Sequence, residues 1–452
     1  MMEVLVSIVG FIIAIGILVT FHEFGHYYVA RLCNVKVLNF SIGFGKNIYT
    51  KKFKGNDTEY SIGLIPLGGY VKMLESSELT EKHSDLKFCF DKQNVYKRFL
   101  IVAAGPIFNL ILAIIFFTFV HFKGISGIKP IVTSIDSIHN SGTDLQVDNM
   151  EIYKVNDEYT KRWQDVRIQI LNSAVDKEPI TLYLRDNSNK DFSVNLSINY
   201  NEILKKEGDI IRNLGIQPRQ LNLPPIIGSV QTNSPASLAG LEAGDIIKTI
   251  NDKTIESWLE WVQIIKNNPN QELEIVLLRN NQEQKTLLIP VAKEVNKTTF
   301  GFAGVSADTD NLDQHRVIVS YPFFSSIHHS FILTYQYSLL TLKMIYKLFT
   351  GQANLKNISG PISIAEYTGK SLSMGLVYFT YILAILSISL GVLNLLPIPM
   401  LDGGHLMFYL FEIVTGNPIS ERIQLAGQQI GIIILFGIMI LAFYNDFLRL
   451  LS

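Results

Sequence analysis

Four stretches of this chain are apolar for long enough to cross a bilayer, and no other feature narrows its architecture as much. A spanning helix needs about 20 largely apolar residues, and residues 4–30, 99–122, 376–396 and 425–444 reach that length. Ser387, Ser389 and Asn394 interrupt the third of these. Lipid offers no partners to an open backbone, so such spans must be helical. Charged residues make up 17 % of the chain, below the figure of about 25 % usual for soluble domains, and mean hydropathy is +0.24. Both values fit a polytopic α-helical membrane protein with sizeable soluble parts. The opening "MMEV" has no basic segment, and no small-residue cleavage site follows the first span, so that span reads as retained. A net charge of −1 gives no basic field for a nucleic-acid partner, and two cysteines, Cys33 and Cys89, give neither a disulfide framework nor a CxxC metal site.

Residues 31–98 carry an excess of Lys and Arg, which the positive-inside rule assigns to the cytoplasm. The N-terminus is then outside, residues 123–322 form a large external region, and the last two spans return the C-terminus to the outside. Residues 323–349 are also long enough to span. However, His329, Gln336, Lys343 and Lys347 fall at helical spacing on one stripe, the pattern of an amphipathic helix on the membrane surface, residues 323–350.

The external region repeats itself. "IVTSIDSIHNSGTDLQVDNMEIYKVND" (131–157) lies without gaps over "IIGSVQTNSPASLAGLEAGDIIKTIND" (226–252), and Trp163 then matches Trp258. Alternating apolar residues predict half-buried strands, and "DVRIQIL" and "WVQIIK" predict helices between them. Two tandem α+β domains follow, residues 123–220 and 221–310. "SPASLAGLEAGDIIKTIND" resembles the core of a PDZ domain, a family in which a strand–helix groove captures extended peptides. The first copy keeps the frame but lacks the "SPA…AG…GD" residues. Both copies fit either a peptide-binding groove or a spacer that filters by size, and the second is the better candidate for peptide ligands.

In the cytoplasmic loop, "NIYTKKFKGNDTEYSIGLIPLGGYVKM" predicts a membrane-associated β-hairpin turning at "KGND". A structural hairpin and a strand partner for substrate are both open, and the second assigns Ser61, Ile62, Gly63 and Leu64 to substrate binding.

The chemistry begins at "HEFGH". His22 and His26 are four residues apart and share one face of a helix, so both can ligate a zinc ion, and Glu23 beside them can take a proton from a water. Ionisable groups inside a membrane helix are costly and functional by default. A catalytic zinc takes a third protein ligand. In "GVLNLLPIPMLDGGHL" (391–406), Asp402 follows two prolines, a break in the helix that is tolerated where it lines a cavity. The span count brings Asp402 to the same membrane face as His22 and His26. His405 is the rival ligand.

"HEFGH" in a first span, "NLLPIPMLDGGH" in a later one, paired PDZ-like domains between and "SGPISIA" (359–365) together resemble the site-2 protease family of intramembrane zinc metalloproteases, in its bacterial branch with tandem PDZ domains. The resemblance covers nearly the whole chain. It implies that His22, His26 and Asp402 bind one Zn2+, that Glu23 is catalytic and that Asn394 contacts substrate. It also implies a multi-pass protein of the bacterial inner membrane, with residues 1–122 and 351–452 holding the spans and the PDZ-like domains periplasmic. The substrate implied is a single-pass membrane protein, an anti-sigma factor already cut on its outer side. The alternative from another class is a non-enzymatic PDZ adaptor with a structural metal site, for which Glu23 would have no use.

Overall fold

A computed structural model describes residues 2–451 apart from 54–56, 80–82, 137–146, 148, 207, 220–222, 296–297 and 309–314. Helix α1 (Met2–Leu32) is the first apolar span. After it, β1 (Val37–Lys52) and β2 (Glu59–Met73) form the expected antiparallel hairpin, whose turn lies mostly outside the described residues. Each strand doubles back. Ser41 faces Tyr70 on one side and Ser61 on the other, while Ser61 faces both Ser41 and Thr50. Four limbs result, in the order 47–52, 59–63, 37–42 and 69–73. Gly43 and Gly45 (φ 91° and 86°) supply the left-handed backbone where β1 bends.

Helix α2 (Val95–Lys123) is capped by Asn94, whose side chain accepts from the Tyr96 N–H, and leads through β3 (Ile125–Ile128) into two α+β units. The first contains β4 (Ile131–Ile135), β5 (Met150–Val155), β6 (Glu158–Tyr159), α3 (Trp163–Asp176), β7 (Ile180–Arg185), β8 (Asp191–Leu196), the short turns α4 (Tyr200–Ile203) and α5 (Ile210–Asn213), and β9 (Ile216–Pro218). Its sheet runs β8-β7-β5-β4-β9. The predicted alternation puts Ile180, Leu182 and Leu184 inward, in one core with Val166 and Ile170 of α3. The second unit contains β10 (Ile227–Val230), α6 (Pro235–Leu238), β11 (Ile246–Ile250), β12 (Lys253–Thr254), α7 (Trp258–Asn267), β13 (Leu273–Arg279), β14 (Gln282–Leu288), β15 (Val291–Val295), β16 (Thr298–Phe302) and β17 (Val305–Ala307). The sequence repeat survives in three dimensions. Helices α3 and α7 both begin on the repeated tryptophan, and the pairing of Ile131 with Glu151 recurs as that of Ile226 with Ile246. Where the second copy buries Asp245 in a bidentate pair with Arg279 (both contacts 2.7 Å), the first has Met150 in its apolar core.

Strand β18 (Arg316–Val319) pairs with β3 and closes, at its base, the segment that holds the two α+β units. Helix α8 (Phe323–Phe349) is continuous and is not one of the four helices among the described residues that are long and apolar enough to span. Its Ser326, Ser330 and Thr334 are buried, and Ser330 Oγ lies 3.0 Å from Nδ1 of His121 on α2. The polar stripe faces protein as much as water: Lys343 pairs with Asp176 at 2.7 Å, and Lys347 donates to Gln352 at 2.9 Å. Helices α9 (Pro361–Ser373), α10 (Leu376–Leu395), α11 (Asp402–Thr415) and α12 (Glu421–Leu451) complete the chain. The buried Asp446 carboxylate of α12 accepts from the N–H groups of Gly360, Ile362 and Ser363, capping α9.

Candidate metal centre

Helical spacing places His22 and His26 one turn apart in the C-terminal part of α1, both 8 % exposed. They can lie against α2 because the crossing is made of small residues. A Cβ on Gly25 would stand 2.6 Å from the Ala104 carbonyl oxygen, and one on Gly105 would stand 2.2 Å from His26 Nε2 and 2.8 Å from His22 Cε1. His26 Nδ1 donates to the Ile101 carbonyl at 2.9 Å. That carbonyl can only accept, so the ring proton sits on Nδ1 and Nε2 keeps a free lone pair.

Asp402 arrives by a different route. Pro397 and Pro399 cannot continue α10, Met400 takes a positive φ of 104°, and α11 restarts at Asp402. Gly403 and Gly404 let the new helix press against the chain it has just left. A Cβ on either would lie 2.2 Å from the Leu396 oxygen or 2.6 Å from the Ile398 oxygen. Asp402 Oδ2 thereby stands 3.0 Å from His22 Nε2 and 3.4 Å from His26 Nε2, and the two Nε2 atoms are 3.2 Å apart. No other His, Cys, Asp or Glu among the described residues joins this convergence. Asp402 Oδ2 is buried without a conventional hydrogen-bond partner. Two imidazoles and a carboxylate aiming lone pairs at one point are a donor set for a tetrahedral zinc with one position left open, so the residues fit the metal.

Glu23 opens on the same cavity, of about 610 Å³, whose walls include Gly69, Tyr70, Tyr409 and His405. His405 lines the cavity without joining the converging donors, so the geometry favours Asp402 over its rival. Asn394 occupies the last turn of α10, half-buried and outside the cavity wall. The hairpin residues Ser61, Ile62, Gly63 and Leu64 do not line this cavity. Ser61 and Ile62 are paired on both sides, Gly63 pairs with Asn47, and the inner limb has no free backbone edge to offer a substrate there. Leu64 is exposed on the bend beyond it, away from the metal ligands. The limb that reaches the site is the outer one, 69–73. A Cβ on Gly69 would stand 2.9 Å from Glu23 Cγ. Sequence reasoning also passed over Gly105 and Asn109. An asparagine within an apolar span was the available signal.

The sequence profile of peptidase family M50 matches residues 10–438. The chain belongs to that family. It is 37 % identical over 451 residues to the regulator of sigma-E protease RseP of Salmonella typhimurium (strain 14028s / SGSC 2262), and the alignment covers 100 % of both chains. The protein of the same name from Escherichia coli (strain K12) is 37 % identical over 452 residues, again across 100 % of each. A putative zinc metalloprotease of Vibrio cholerae is 36 % identical over 454 residues, with the same full coverage. This M50 member is therefore a zinc metalloprotease of the site-2 type. A solved PDZ domain of the SdrC-like protein from Listeria monocytogenes aligns with 21 % of this chain and 96 % of its own at 20 % identity, with a TM-score of 0.18, too little overlap to inform the architecture.

Proposed function

We propose that this M50 peptidase hydrolyses a peptide bond in or beside the transmembrane segment of a single-pass protein, at a site towards the cytoplasmic face of the bacterial inner membrane. The relatives' names point to sigma-E regulation, and the substrate proposed is an anti-sigma factor already trimmed on its outer side. The observation that carries the reading is the meeting of His22, His26 and Asp402, separated by most of the chain, beside Glu23 in one cavity.

His22 Nε2, His26 Nε2 and Asp402 Oδ2 would hold one zinc per chain. When bound, zinc supplies a Lewis acid for a carbonyl and lowers the pKa of water towards about 7. Glu23 removes the proton of the attacking water and passes one to the leaving amine. Asn394 hydrogen-bonds the substrate backbone from the end of α10. A helical substrate must unwind first, and its freed backbone groups need new partners in lipid. The outer limb 69–73 offers them by strand addition, running past Glu23. Phe44, Ile48, Tyr49 and Leu64 are exposed on the hairpin, which fits its bend dipping into the bilayer.

With residues 31–98 cytoplasmic, both termini and both α+β units are periplasmic. The units act as tandem PDZ-like domains, residues 123–220 and 221–310, that screen substrates rather than touch the scissile bond, and the second is the candidate for peptide capture. The test is Glu23→Gln in cells carrying a membrane-anchored substrate. Uncleaved substrate should accumulate while the purified variant still holds one zinc. Equal substrate levels with and without Glu23 would instead favour the adaptor reading.

A further inference from the structure

Helix α2 buries a polar side chain that the proposed chemistry does not use. Asn109 is 0 % exposed and lies one turn beyond Gly105, so it shares the face that meets the histidines. Two features of α10 fix its position. Ser387 Oγ donates to the Asn109 backbone carbonyl at 2.7 Å, and at Gly391 a Cβ would stand 3.3 Å from Asn109 Cβ. The carboxamide reaches His22, its nitrogen 3.1 Å from Nδ1. The amide oxygen on the other branch is buried and has no partner.

A half-turn about the Cβ–Cγ bond exchanges oxygen and nitrogen without changing the shape of the group. The oxygen then accepts from His22 Nδ1–H, and the unpaired acceptor is satisfied. A neutral imidazole carries one ring proton, so a proton held on Nδ1 leaves the lone pair of Nε2 free. His26 is set in this way by the Ile101 carbonyl. We infer that Asn109 is the positioning residue of His22, its Oδ1 accepting the Nδ1 proton so that Nε2 faces the metal bare and correctly turned. The opposite orientation, with the amide nitrogen donating to Nδ1, puts the proton on Nε2, 3.0 Å from Asp402 Oδ2, and takes that lone pair away from the metal. Only the orientation with Oδ1 towards Nδ1 leaves His22 able to ligate. Partners of this kind fix the tautomer of metal-bound histidines in general. The inference rests on His22 being a zinc ligand.

The experiment compares full-length protein, Asn109→Leu and Asn109→Asp in detergent, reading zinc retained against a graded chelator series. Leucine has similar bulk and no acceptor, whereas aspartate accepts from Nδ1–H and cannot donate. Asn109→Leu should lose about 10- to 100-fold in zinc affinity, and Asn109→Asp should stay within about threefold of the parent. With cobalt(II) in place of zinc, the visible ligand-field bands should move in the leucine variant and hold in the aspartate variant. Leucine within threefold of the parent would overturn the inference, and so would equal losses in both variants, which would mean packing alone. If Asn109→Leu does not fold, the aspartate variant decides by itself, since a tenfold loss there refutes the acceptor role. His22→Ala separates the two levels: zinc uptake unchanged by that substitution would sink the ligand assignment itself.

Discussion

Gly105→Ala is the sharpest single perturbation of the centre. The added methyl would stand 2.2 Å from His26 Nε2 and 2.8 Å from His22 Cε1, where carbon contacts ordinarily fall at about 3.5–4.0 Å. One or both rings must retreat by roughly 1 Å, several times the tolerance of about 0.2 Å on a zinc–ligand distance. The helix itself gains about 0.5–1 kcal/mol from replacing glycine. Overpacking costs about 1–3 kcal/mol, so the protein should remain folded. The loss falls on the metal, at least about 100-fold in zinc affinity, equivalent to about 2.7 kcal/mol. Gly437→Ala on α12, where no atom lies within 4 Å of the new Cβ, is the matched control and should leave zinc affinity unchanged. The assay is chelator competition on purified protein, with cleavage of a membrane substrate alongside. A Gly105→Ala protein that binds zinc within threefold of the parent would refute the reasoning, because the histidines would then have a ligating position other than the one against α2.

Other expectations test the surrounding parts. Backbone N–H groups alternate sides along a strand, so one of Tyr70→Pro and Val71→Pro should cut cleavage strongly and the other weakly, with zinc content intact in both. Equal, unreduced turnover would remove the outer limb from substrate pairing. Gly431→Ala would drive a methyl against the Pro399 carbonyl oxygen, so it should displace the segment that delivers Asp402 and reduce both zinc retention and turnover. Excising residues 223–308 removes a unit whose core is made of its own side chains, and should widen the range of substrates cut without abolishing hydrolysis. Loss of all activity in that folded deletion would contradict a screening role. Burial pushes the Asp209 carboxyl up, but the Arg167 guanidinium, the Ile211 N–H and the Arg212 charge together hold it below the ordinary carboxylate range. Its stabilisation is therefore present above about pH 3.9 and fades as pH falls through the lower folded value. Asp209→Asn should flatten that acid-side loss in thermal unfolding.

The spans, the hairpin, the repeat and the HExxH pair were legible because each is a local pattern: apolar length, strand alternation, a fixed offset, four-residue spacing. A short anionic oxygen favours Asp402 over His405, and the parity of the spans brings it to the face of His22 and His26, but its actual delivery depends on Gly403 and Gly404 packing against carbonyls that no periodicity reveals. The hairpin was read in the right place, but the order of its limbs was not legible. Alternation identifies strands, but it does not say that a strand will bend at Gly43 and Gly45 and acquire partners on both sides. Gly105 and Asn109 were hidden for a related reason. A glycine and an asparagine in an apolar helix acquire meaning only from the two rings that a second helix lays against them.

The divergence of the two α+β copies follows from where each sits. The first is joined to the membrane helices: Leu340 and Met344 of α8 enter its core, Asp176 takes Lys343, and the Asn354 N–H donates to the Leu204 carbonyl. Its buried Arg162 pairs with Asp165 at 2.7 Å and packs across Gly127 of β3, beside the β3–β18 pair at the base of the units. A unit mounted in this way gains stability from apolar burial, and Met150 serves it as well as a buried ion pair would. The second copy keeps Asp245 locked to Arg279, an arrangement that holds the "AGD" turn in a defined shape through hydrogen bonds to Glu242 N–H and the Gly240 carbonyl. Precise loop geometry matters for a surface that must present a groove to a partner, and it is dispensable in a unit that serves as a mount. Loss of the motif in the first copy and its retention in the second are the basis for proposing the second as the peptide-capturing unit and the first as its mount. Arg279→Met should loosen ligand selection while leaving the first unit, the zinc and basal hydrolysis untouched. Arg162→Met should instead lower the thermal stability of the base of the units, and identical effects from the two substitutions would show that the copies are not specialised in this way.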